Sequence, residues 1–143
     1  DYLIKTFVPY ANVVNFALTA GQEALKMRVK DLDFSVQQQE LDDNHQDKLL
    51  KLADVLSKYP GVSLKLCPIS VSTDINKQTI DQTGAETKNE KVQLLRNLAQ
   101  LRVDRVKNFL VNKGNVASKR LLSCSPAVDY SQNAKPRIEF SQL

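Results

Sequence analysis

The chain reads as an α+β protein: an α/β two-layer sandwich with helices on one face of a mixed four-stranded sheet, in the order βαβαββ, preceded by an N-terminal helical segment. Three observations predict this. Short runs with apolar residues at every second position alternate with two longer runs whose apolar residues recur at helical spacing. Turn residues separate them, Pro60-Gly61 after the first long run and Gly114 after the second. A length of 143 residues suits one core and rarely two.

Residues 1–26 form the lead. Leu3, Phe7, Val8, Val14, Ala17, Leu18 and Ala24 occur there with few charges, which predicts one helix or two short ones broken near Pro9. From residue 27 to 143 a single domain is expected. Met27, Val29, Leu32, Phe34 and Val36 alternate with polar residues as the first strand, with a slip near Lys30 and Asp31. Asp42 and Asp43 cap a helix whose apolar face is Leu49, Leu52, Ala53 and Leu56. Val62, Leu64 and Leu66 open the second strand, which continues toward Val71.

Residues 73–89 are nearly all polar, and the expectation is a mobile insertion rather than a functional loop. A second helix carries Leu94, Leu95, Leu98, Leu101, Val106, Phe109 and Leu110 and stops at Lys113-Gly114. Arg120 to Cys124 is the third strand and Arg137 to Phe140 the fourth, and with a turn between them these two can pair as a hairpin.

Composition excludes several classes of function. The hydrophobic fraction is 42% and the charged fraction 25%, and no apolar run is long enough to span a bilayer. A net charge of +4 is spread along the chain with acids between the cations, and there is no Trp, so no concentrated basic stripe with stacking aromatics marks a nucleic-acid surface. The single histidine, His45, sits at a polar helix start where solvent exposure is expected, which leaves no catalytic triad or dyad. Four scattered glycines make no phosphate-cradling loop, and no CxxC offers a zinc site. No enzyme activity, cofactor or metal is expected. Asp1 in place of an initiating Met marks the chain, on expectation, as a processed or excised piece.

Cys67 and Cys124 stand in similar settings, LKLCPIS and RLLSCSP, each after an apolar stretch. Neighbouring strands could join them in a disulfide, or they are two buried thiols.

Two stretches resemble the OmpA-like domain family: LDFSVQQQELDDNHQDKLLKLADVLSKYPGVSLKL at 32–66 and LAQLRVDRVKNFLVNKGNVASKRL at 98–121, with the closing PRIEF. Together they cover most of residues 32 to 140. The whole chain is similar to the C-terminal region of large AsmA-like envelope proteins of unknown function, in which a lead such as TFVPYANVVNFALTAG comes first and paired LKLC and RLLxC stretches recur. This resemblance implies an exported domain in the periplasm or outer-membrane environment of a Gram-negative envelope, and with it the Cys67–Cys124 disulfide.

Family members that bind peptidoglycan use an Asp of a TD motif and an Arg of an LSxxRA helix to hold the two charged ends of a diaminopimelate side chain. Asp74 and Arg102 match those positions, while Leu95, Ala99 and Val103 replace the family's Asn, Ser and Ala. The resemblance thus implies a non-catalytic envelope domain with peptidoglycan as partner, anchoring a larger protein. Its alternative is a ligand-free structural domain that docks other envelope proteins or the rest of its own chain. Taken on their own, Asp74 is a turn aspartate and Arg102 a helix-surface arginine in a salt bridge.

Overall fold

The computed structural model describes residues 8–10, 14–18 and 25–143, with side chains from Met27 onward. Its first long helix, α1 (Asp43–Lys58), starts where the Asp42 side chain accepts a hydrogen bond from the His45 backbone N–H at 2.8 Å. The ring of His45 answers by accepting from the Asp42 N–H, so histidine fills the place that Glu or Gln takes in most capping boxes. Leu49, Leu52, Ala53, Val55 and Leu56 form its buried stripe. Pro60 ends it by excluding Tyr59 from the helical region. Arg120 then donates to the carbonyls of Leu56, Tyr59 and Val62, satisfying groups that the helix end leaves open.

Five strands form the main sheet: β4 (Leu32–Asp33), β5 (Leu64–Val71), β6 (Leu121–Ser123), β7 (Ala127–Asp129) and β8 (Arg137–Gln142). Their order is β4-β8-β5-β6, with β7 continuing alongside β5 beyond the break at residues 124–126. β6 and β7 run parallel to β5, and β8 runs antiparallel to both β4 and β5. The expected hairpin of the last two strands is therefore corrected: β8 lies on the opposite side of β5 from β6 and β7. Residues 130–136 reach at most about 25 Å extended, ample to cross two strand spacings of roughly 10 Å. Ile138, fully buried, suits that interior position, whereas β6 keeps only Leu121 buried, as an edge strand does.

The second long helix, α3 (Lys88–Asn112), packs on β5 and α1. Thr87 caps it, with Glu90 reciprocating. Its buried stripe is Leu95, Ala99, Arg102, Val103, Val106 and Leu110. Gly114 follows because α3 approaches α1 there: a Cβ at this position would lie 2.6 Å from the Ala53 Cβ and 2.7 Å from the Leu110 carbonyl oxygen.

Two further expectations are corrected. The polar segment 73–89 contains a short helix, α2 (Lys77–Thr83), capped by Asn76 and closed by Gly84 at a φ of 72°. It buries no residue, so the apolar stripe that reveals helices in a sequence is missing. The helical lead over 1–26 is replaced, among the described residues, by strands β1 (Val8–Tyr10), β2 (Val14–Leu18) and β3 (Leu25–Val29), which form an antiparallel three-stranded sheet. Valines and an aromatic at alternate positions favour an extended chain. The expected boundary at 26/27 falls inside β3, whose Met27 N–H donates to the Gln142 side chain at 2.7 Å and whose Met27 and Val29 join the main core. The slip foreseen at Lys30 and Asp31 is the break between β3 and β4.

Candidate functional site

At the end of β5 the chain turns through Ser72–Asp74, and the Asp74 carboxylate folds back to accept the Val71 N–H at 3.0 Å. Arg102 projects from the buried stripe of α3 onto the same point. Its Nη2 and Nη1 donate to Asp74 Oδ1 and Oδ2 at 2.7 and 3.1 Å, a bidentate pair between residues 28 apart in the chain. The structure thus brings together the two residues that the sequence singles out.

It also closes them off. The segment Ser35–Gln38, between β4 and α1, lies over the pair. Gln37, at a φ of 68°, donates its N–H to Asp74 Oδ1 at 2.8 Å. The Gln38 carbonyl accepts from Arg102 Nε at 2.7 Å, and the Ser35 carbonyl receives a longer contact of 3.5 Å from Nη2. Phe34 places its ring centroid 5.2 Å from the guanidinium carbon, a cation–π contact. The side chains of Arg102 and Asp74 are 1% and 0% exposed. Each carboxylate oxygen already accepts two hydrogen bonds. Arg102 is thus a buried arginine, in place of the helix-surface one.

Burial pushes the Asp74 carboxyl up, but hydrogen bonds from Arg102, Val71 and Gln37 and the Arg102 charge outweigh it and hold the group below the ordinary carboxylate range. The Asp74 carboxylate is therefore ionised at neutral pH.

His45 is a second correction, being buried rather than exposed. Because Nδ1 accepts the Asp42 N–H, the ring proton sits on Nε2 and is donated to the Asp33 carbonyl at 2.6 Å. The ring also packs at 4.5 Å from Phe34. Both ring nitrogens are therefore occupied in holding the β4–α1 connection.

Cys67 and Cys124 are joined in a disulfide that ties β5 to the break between β6 and β7, with Cα atoms 4.7 Å apart. Beside it the Cys124 N–H donates to the Leu66 carbonyl. No cluster of three or more His, Cys, Asp or Glu side chains capable of holding a metal occurs among the described residues, and no described helix is long and apolar enough to cross a membrane.

Sequence reasoning missed Phe34, Gln37, Gln38 and Arg120. Gln37 carried no signal, since glutamine is not a residue that favours a positive φ. Arg120 was read only as the opening of a strand.

No family model and no curated protein sequence matches the chain. Among solved structures it is similar to the OmpA-like domain of FopA1 from Francisella tularensis subsp. tularensis SCHU S4, with a TM-score of 0.62 over 99% of this chain and 95% of that one, at 10% sequence identity. At that identity the likeness is one of fold, and the chain has the mixed helix-and-strand fold of an OmpA-like domain.

Proposed function

We propose that this chain is a non-catalytic module of a Gram-negative cell envelope, the docking domain of a larger AsmA-like protein, in which Asp74 and Arg102 form a closed internal clamp instead of an open ligand receptor. One observation carries the reading: the pair is shielded from solvent and every oxygen of its carboxylate is already engaged within the chain. A zwitterionic ligand would have to displace Arg102 from Asp74 and lift Gln37 and Gln38 away, exposing buried charge at a cost of several kcal/mol. The disulfide supports an oxidising compartment such as the periplasm.

A second reading is favoured by the convergence of Asp74 and Arg102 on one point. If the Ser35–Gln38 segment opens, the pair has the carboxylate and guanidinium that a peptidoglycan stem peptide requires. Sedimentation with purified peptidoglycan, using wild type, Asp74→Ala and Arg102→Ala, separates the two. The clamp predicts that wild type stays in the supernatant and that both variants melt at lower temperature. Pelleting of wild type, lost in both variants while they remain folded, would overturn it in favour of the receptor.

A further inference from the structure

We propose that the hollow at the carboxyl ends of β5 and β7 is a binding site for a small anion with an apolar body, an alkyl phosphate or alkyl carboxylate. This goes beyond the docking reading and does not depend on it. The hollow has a volume of about 390 Å3 and is walled by Ile75, Val92 and Leu95, with Tyr130, Lys88 and Lys91 around it. That is the lower end of the range of roughly 300–1,000 Å3 for ligand pockets, so the occupant is a small molecule and not a protein surface.

Its position follows from topology. β5 and β7 are parallel neighbours, with Val71 beside Asp129, and the chain leaves both at the same end of the sheet. Crevices beyond the carboxyl ends of parallel strands are where open sheets receive ligands. The floor is fixed in advance: Leu95 is 3% exposed, and the buried Ser70 hydroxyl donates to the Leu95 carbonyl, tying α3 to β5 beneath the hollow.

Charge selects the ligand. Lys88 and Lys91 lie in the opening turns of α3, where the helix dipole is positive and lysine is repelled. No acidic side chain lines the hollow, and neither lysine has an ion-pair partner among the described residues. Of the acids near in sequence, Glu90 is committed to the Thr87 cap and Asp129 to Ser131 and Arg137, while Glu86, two residues before Lys88, does not line the hollow. An anion placed between the lysines answers both them and the dipole. The apolar walls and the Tyr130 ring, 60% exposed, would cover an alkyl body. The larger groove at Arg28, Lys30 and Lys48 lacks this selectivity, since Asp31 and Asp33 line it as well.

Octyl phosphate, kept below its micelle concentration, is the probe, read by amide chemical shifts of the whole chain. Saturable shifts centred on Ile75, Val92 and Tyr130 are expected. Inorganic phosphate, which lacks the tail, and octyl glucoside, which lacks the charge, should each bind at least about tenfold more weakly. The double variant Lys88→Gln/Lys91→Gln should weaken octyl phosphate by about tenfold or more with its melting temperature unchanged or slightly raised. The proposal is overturned if octyl phosphate does not saturate, if either control or the double variant binds equally well, or if the shifts centre on Arg28, Lys30 and Lys48.

Discussion

Arg102 meets Asp74 through two parallel N–H···O contacts of 2.7 and 3.1 Å, although one residue belongs to the middle of α3 and the other to the turn after β5. The pair joins three parts of the chain, because Ser35, Gln37 and Gln38 attach to the same two side chains. Removing either partner strands a buried charge. Asp74→Ala and Arg102→Ala are each expected to destabilise by about 3–5 kcal/mol in urea unfolding. The double variant Asp74→Leu/Arg102→Met should lose much less than the sum of the two. Additive losses would show that each residue acts through separate contacts.

The same pair sets an acid limit. The Asp74 carboxyl is held below its ordinary range in the folded state, so the unfolded chain takes up a proton first as pH falls. Its contribution is present in full above the unfolded value of about 3.9 and is lost as pH drops toward the folded one. The stability gap between wild type and Asp74→Asn should therefore be constant from neutral pH to about pH 5 and narrow below about pH 4. Urea midpoints collected across that range check it, and a gap that widens on acidification would contradict the sign. Asp31 shifts the opposite way, through burial and then Glu139, so its protonation favours the fold slightly.

Cys67 and Cys124 close a loop of 57 residues between β5 and the β6–β7 break. In the chain-entropy model this constraint on the unfolded state is worth about 4 kcal/mol. Reductant should lower the urea midpoint of wild type accordingly, while Cys67→Ala/Cys124→Ala should unfold at the reduced midpoint whether or not reductant is present. A wild type indifferent to reductant would remove the bridge from the stability of the fold.

The parts that were legible in the sequence are those whose burial repeats at one local period. Leu49, Leu52, Ala53 and Leu56 announced α1, and the alternation of Leu64 and Leu66 announced β5, because each faces the core on one side only. What failed was nonlocal or hidden by composition. The place of β8 between β4 and β5 depends on how far residues 130–136 can travel, and no periodicity records that. The helix α2 buries nothing, and the apolar segments of the first 26 residues fit a strand as well as a helix. For the site, the pattern named Asp74 and Arg102 but not their burial. One signal was available: Arg102 lies three residues after Ala99, on the same stripe as Leu95 and Val106, and so was placed to face inward.

Gly114 tests how closely α1 and α3 must approach. Its φ is not in the left-handed region; Asn115, at 57°, takes that conformation instead. The demand on Gly114 is therefore for space, since an added methyl would press on the Ala53 Cβ and on the Leu110 backbone, neither of which is the movable end of a flexible side chain. Gly114→Ala is expected to cost about 1–3 kcal/mol through overpacking. Gly61, which has nothing within 4 Å of an added Cβ, is the control, and Gly61→Ala should change stability by no more than about 0.5 kcal/mol. If the backbone were the cause, Ala53→Gly would not help. If space is the cause, the double variant Ala53→Gly/Gly114→Ala should recover part of the lost midpoint relative to Ala53→Gly alone, and thermal melts of the four proteins decide between them.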